Sequence, residues 1–288
     1  ASGVELALWF LPSPNRGFRD WQDGLDIILD MHRTYGIRKF KIDGLMIRTC
    51  SEQEKFELML RTARELSNGE IFFNLDVTSS QRGGYLQYLE YGNLFLENRY
   101  CFGGLGYHPE KVLRHLWMLS RYTRPQNIQA EVANPADVKP DFYQKRGLVD
   151  PRSYPIEYWA AVAFCSSPLL WMNPSAVPAE LRPRLRRVMD LHRKYAEAMF
   201  EGEIYPCGGR PDGRACTGFQ MVPGRPQDPQ LLLVFAELGA AETSTVLHLP
   251  QPLRVNTSWL LEYGEATLAE QPAGGWKVTL PGPASFAL

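Results

Sequence analysis

From Val4 to about Ala198, short apolar runs alternate with amphipathic stretches. The runs Val4 to Leu11, Arg38 to Asp43, Glu70 to Asp76, Asn93 to Glu97, Ile128 to Val132 and Pro168 to Met172 have the length of strands buried on both faces. Between them, Trp21, Leu25, Ile28 and Leu29 keep helical spacing up to Gly36, a C-cap residue. Phe56, Leu60, Ala63 and Leu66 do the same after Ser51 and Glu54, which read as a capping box. Further helices are predicted over Val112 to Leu119, Glu157 to Ser166 and Leu181 to Tyr195. This alternation predicts an α/β fold with a parallel sheet. After Met199 the pattern changes to short runs punctuated by Pro and Gly: Gln230 to Leu238, Thr243 to Leu249, Ser258 to Tyr263 and Trp276 to Leu280. We therefore expect a catalytic-type α/β domain over residues 1–199 and a small antiparallel β domain over 200–288.

Composition narrows the partners. The chain has 288 residues, 44% hydrophobic and 22% charged, with a formal net charge of −1. That is enough chain for two cores, and it offers no cationic surplus for a nucleic acid or an anionic membrane. The five cysteines form no Cys-x-x-Cys pair, so neither a metal site nor a disulfide framework is expected, and the odd count favours reduced thiols. No window approaches the roughly 18 apolar residues of a membrane helix. No charged-then-apolar leader opens the chain, which tilts the expectation toward the cytoplasm. Ala1 is not an initiator Met and a strand reads almost at once, so the chain is expected to be part of a longer one. Homo-oligomerisation is left open.

Chemistry enters at the strand ends. In parallel α/β folds the carboxyl ends of the strands present side chains to one shared mouth. Here Asp43, Asp76 and Glu97 end three strands, and Glu131 lies in a fourth. A lone carboxylate buried at a strand end costs several kcal/mol, roughly, unless it is paired. Convergence at one mouth accounts for all of them together. Two carboxyls about 5 Å apart support retaining glycoside cleavage, one attacking the anomeric carbon and the other protonating the leaving oxygen. Lys41 precedes Asp43 by two, so both side chains share a strand face, where the ammonium keeps Asp43 ionised. The plainer alternative is an ion pair with no chemistry. Trp9, Trp171 and Tyr100 fall at or near the same rim, where rings stack on sugars or simply pack in the core. Arg82 and Arg99 reach sugar hydroxyls or only neutralise the acids. The Gly-rich stretches lack the context of a phosphate loop, and His108 and His115 read as structural.

These residues resemble glycoside hydrolase clan D, the α-galactosidase or melibiase group that includes family 36 and, more distantly, family 27. The run Ala7-Leu8-Trp9-Phe10-Leu11-Pro12-Ser13 is similar to that group's third barrel strand. Tyr35 to Gly44, with Lys41-Ile42-Asp43, is similar to its fourth, whose Lys-x-Asp ends in the nucleophile. Ser79 to Gly84 resembles the turn after the fifth strand, and Asn93 to Tyr100 falls where the sixth brings the acid/base. The resemblance covers about residues 4 to 200. It implies a (β/α) TIM-type barrel, present here as strands 3 to 8, followed by a C-terminal β-sandwich. It further implies a retaining α-glycosidase with Asp43 as nucleophile. The family's Ser-Asp at the sixth strand is Glu97-Asn98 here, so the acid/base role passes to Glu97 by substitution, with Asp76 and Glu131 as alternatives. The family's Cys before the fifth-strand turn is also missing, and Asp76 stands nearby.

The expected substrate is an oligosaccharide or other α-galactoside-like glycoside. Its contacts would be Trp9, Lys41, Asp76, Arg82, Arg99, Glu131 and Trp171, with no cofactor and no metal. Two other functions use the same residues: a transglycosidase, and a truncated or non-catalytic sugar-binding protein. A metal-dependent hydrolase with Asp43, Asp76 and Glu97 as ligands lacks a strand-end His.

Overall fold

A computed structural model describes residues 4–12, 17–44, 46–76, 88–96, 106–170, 172–253 and 258–288. The chain divides into two compact units, one of Ala1–Glu97 with Asn127–Gln129, the other of Asn98–Gln126 with Ala130–Leu288.

In the first unit, β1 (Ala7–Phe10), β2 (Lys39–Ile42), β3 (Phe72–Asp76) and β4 (Gly92–Leu96) pair side by side in parallel. They continue into β5 (Ile128–Glu131) and β6 (Ser167–Leu169), giving one six-stranded sheet in chain order. Helix α1 (Trp21–Tyr35) links β1 to β2, and α2 (Cys50–Leu66) links β2 to β3. Both helices bury an apolar stripe: Leu25, Ile28 and Leu29 on α1, and Phe56, Met59, Leu60 and Ala63 on α2. The sheet supplies Phe40, Ile42, Phe73, Leu75 and Leu94, all buried, as the alternate positions of their strands. Each such side chain contributes roughly 1.5–3 kcal/mol on leaving water.

Helix α1 ends at Gly36 in the left-handed region (φ 69°), as the sequence predicts. The capping box of α2 lies two residues earlier than predicted. Thr49 is the N-cap and accepts from the Glu52 amide at 3.2 Å, while Glu52 Oε2 accepts from the Thr49 amide at 3.1 Å. Thr49-x-x-Glu52 and Ser51-x-x-Glu54 both fit the motif, and only Thr49 has the extended backbone a cap needs (φ −135°, ψ 156°).

The second unit contains α3 (Pro109–Leu119), α4 (Pro140–Arg146), α5 (Ile156–Ala161) and α6 (Arg182–Glu201). The predicted helix to Ser166 stops early, because the chain past Ala161 tightens into turns such as Phe164 N–H to Ala161 O at 3.0 Å. After α6 come β7 (Glu203–Gly208), β8 (Cys216–Val222), β9 (Leu231–Ala236), β10 (Ser244–Leu247), β11 (Thr267–Glu270), β12 (Trp276–Thr279) and β13 (Ser285–Ala287). They make two sheets, ordered β13-β9-β8-β7 and β10-β12-β11, with antiparallel pairing in both. Cys207, Val234, Ala236, Leu247 and Val278 bring the two sheets into one apolar cluster. The strand predicted over Ser258 to Tyr263 does not form. There the Glu262 and Tyr263 amides both bond to the Leu288 carbonyl, and Leu260 and Leu261 stay exposed. Among the described residues no helix is long and apolar enough to cross a membrane.

Glu237, just past β9, is buried, and its Oε2 accepts from the Asp212, Gly213 and Ala215 amides at 3.0, 2.7 and 2.8 Å. Burial pushes its carboxyl up, against the lowering effect of those amides. A raised folded-state value means the unfolded chain ionises first. Stability is therefore full below the ordinary Glu range and falls as pH rises through the raised value. Urea midpoints of the wild type should fall across that window while those of Glu237→Gln stay flatter. Equal slopes in both proteins would contradict the assignment.

Candidate active site

The first unit's sheet carries two rows of side chains on the face away from α1 and α2. Register sets the lower row: Trp9 opposite Lys41, Lys41 opposite Asn74, and Asn74 opposite Asn93. Asn74 Nδ2 donates to Asn93 Oδ1 at 3.0 Å and to Gln129 Oε1 at 2.9 Å, extending the row to β5. One pleat nearer the strand ends comes the second row. Asp76 and Phe95 are register partners, and Asp43, two residues after Lys41, stands beside Asp76.

Asp43 directly follows β2. Lys41 Nζ donates to its Oδ2 at 2.7 Å and the Gly44 amide to its Oδ1 at 2.6 Å. The Asp76 carboxyl forms a further hydrogen bond with it. Burial works to raise the Asp43 carboxyl, and its interactions with Lys41, Asp76 and Gly44 together with the Lys41 charge outweigh it. Asp43 is thereby held well below the usual carboxylate range and stays ionised. Lys41 and Asp43 each keep about a fifth of their side-chain surface open (21% for both). The Lys41 ammonium also lies 4.5 Å from the centre of the Phe95 ring, so it reaches across β3 onto β4.

Trp9 is 64% exposed on β1, which rules out core packing for this ring. Asp76 ends β3 and is buried, at 5% exposed. Glu131 ends β5, half-buried, in the second unit. Glu97, Arg82, Arg99 and Trp171 lie outside the described residues, as do Tyr100 and the Ser79 to Gly84 stretch. Sequence reasoning missed the Asn74, Asn93 and Gln129 amides and the Phe95 ring. A signal for them was present: polar residues recur two before the strand-end acids, in Lys41-x-Asp43, Asn74-x-Asp76 and Gln129-x-Glu131. Period-two polarity inside otherwise apolar runs marks one wet face of a sheet.

No protein-family model matches the sequence, and no curated protein does. Solved structures match it as a fold, and the fold they share is that of glycoside hydrolases. A GH36 α-galactosidase, AgaA from Geobacillus stearothermophilus in complex with raffinose, matches with a TM-score of 0.64 at 14% identity, over 99% of this chain and 45% of that one. The galactosidase domain of the α-galactosidase-sucrose kinase AgaSK gives 0.60 at 14% identity, over 95% of this chain and 40% of that one. The maltogenic α-amylase AmyB from Thermotoga neapolitana gives 0.52 at 12% identity, over 93% of this chain and 62% of that one. The chain thus spans less than two thirds of the length of each.

Proposed function

We propose that this chain carries the catalytic face of a retaining glycosidase for α-linked, α-galactoside-like sugars. One observation carries the reading: an ionised Asp43, held by Lys41 and the Gly44 amide at the carboxyl end of a parallel strand, on a fold shared with α-galactosidases. The α-galactosidase match scores above the α-amylase match, which favours a galactoside.

In the first step an Asp43 oxygen bonds to the anomeric carbon as the bond from that carbon to the leaving oxygen breaks. Glu97, one residue past β4, supplies the proton that the leaving oxygen takes. In the second step Glu97 takes a proton from water, the water oxygen bonds to the anomeric carbon, and Asp43 leaves as carboxylate. Two inversions restore the α configuration. The open Trp9 ring suits the apolar face of a sugar, and Lys41 reaches its hydroxyls while holding Asp43 charged. Arg82, Arg99, Glu131 and Trp171 are proposed as further sugar contacts. The (β/α) barrel, of which this chain supplies about six units as strands 3 to 8, the β-sandwich, and the division at residues 199 and 200 belong to the same proposal. Proton NMR of raffinose during turnover tests it: α-galactose should appear first. Initial β-galactose, or no free sugar, would overturn it.

Replacing Lys41 by Met removes the cation that lowers Asp43, so Asp43 protonates at higher pH. The acidic limb of kcat/KM should then move up by about one pH unit or more. A limb that stays in place would separate Lys41 from the ionisation of Asp43.

A further inference from the structure

We infer that Gly44 is a positioning residue for Asp43: its left-handed backbone turns the amide between residues 43 and 44 onto the Asp43 carboxyl and so sets how the nucleophile is aimed. The role rests on the proposed reading of Asp43, whereas the backbone conformation and its hydrogen bond do not.

The end of β2 fixes where the Asp43 side chain starts but not the twist of its carboxyl, because a torsion onto an sp² carbon is broad. A donor on each oxygen supplies that twist: the Lys41 ammonium on Oδ2 at 2.7 Å and the Gly44 amide on Oδ1 at 2.6 Å. Lys41 is a flexible side chain. The amide belongs to the main chain, so its aim follows from backbone torsions.

Gly44 has φ 67°. The peptide unit between residues 43 and 44 is planar, so on an unchanged chain path it flips only if ψ at 43 and φ at 44 counter-rotate. A residue that avoids positive φ drives that flip. The flip takes the N–H away from Oδ1 and brings the Asp43 carbonyl oxygen round in its place, an acceptor facing a carboxylate. Glycine holds positive φ freely and Asn tolerates it, whereas Ala disfavours it by about 5- to 30-fold. Space is not the obstacle. A Cβ at position 44 would meet Leu11 Cδ1 at 3.1 Å, and Leu11, 47% exposed, can yield.

Attack needs a carboxyl oxygen lined up with the anomeric carbon. With the amide turned away, Lys41 alone holds the carboxyl, and it is free to turn about its torsion. The loss should fall on kcat with KM nearly unchanged, since this amide bonds to the nucleophile.

The test reads the amide proton of residue 44 by NMR of the full chain, with 15N in the residue type at that position. In the wild type this proton, in a short bond to a carboxylate, should resonate far downfield, and Asp43→Asn should move it upfield. A wild-type resonance that ignores Asp43→Asn would overturn the inference. This measurement requires no turnover, so it stands apart from failure of the glycosidase reading. Kinetics with an activated aryl α-galactoside test the role. Gly44→Asn should keep the downfield proton and stay within about threefold of wild-type kcat, because Asn accepts the left-handed region. Gly44→Ala should lose the downfield proton and about 5- to 30-fold in kcat. Asn is the larger side chain, so simple crowding would give the reverse order. Equal activity in the two variants, or the higher activity in Gly44→Ala, would overturn the positioning role. Should Gly44→Ala fail to fold, Gly44→Asn decides alone: loss of its downfield proton or of its activity would contradict the inference.

Discussion

Asp43→Asn should reduce turnover of an aryl α-galactoside by on the order of 10³-fold or more. The amide keeps the shape of the carboxyl but carries neither the charge nor the nucleophilic oxygen that the first step uses. Its nitrogen must also face either the Lys41 ammonium or the Gly44 amide, both donors. That conflict removes one hydrogen bond, worth about 1 kcal/mol, so the unfolding midpoint should shift only modestly. The contrast between a large kinetic and a small stability effect is the signature of a reacting group. Turnover within tenfold of wild type would reduce the Lys41–Asp43 pair to an ion pair without chemistry.

The second large effect is structural. Gly92 opens β4 opposite Phe73 of β3, and a Cβ added there would lie 1.7 Å from the Phe73 carbonyl oxygen and 2.6 Å from its carbon. Backbone atoms cannot rotate aside as a flexible side chain can. Gly92→Ala must therefore push β4 away from β3 or slide its register, and a one-residue slip would turn Phe95 from the Lys41 side to the helix side. We expect a loss of about 3 kcal/mol or more. Denaturant midpoints measure it, and aryl galactoside turnover should fall with them, since Phe95 supports the Lys41 ammonium. An unchanged midpoint would mean that β4 sits farther from β3 than the ladder shows.

The parallel sheet was legible because short, largely apolar strands alternate with helices that carry clear 3.6-residue stripes, as in α1 and α2. Helix α4 was not, since its seven residues give too few turns for a period to show, and its marks are a Pro at the start and Gly147 at the end. Strands β7, β8, β11 and β13 also escaped, because Pro206, Gly218 and mixed polar residues interrupt their patterns, and cross-strand pairing supplies the order that local sequence withholds. In the site, Lys41 and Asp43 could be placed together because i and i+2 on a strand share a face whatever the register. The contact between Asp43 and Asp76, and the amide row from Asn74 to Gln129, depend on how neighbouring strands align, which no single strand encodes.

The most direct test of a nucleophilic Asp43 is covalent trapping with a galactose-configured epoxide, followed by mass mapping of the labelled peptide. The account predicts one label per chain on Asp43, none on Asp43→Asn, and protection by raffinose. A label on another carboxylate, with Asp43 unmodified, would contradict it.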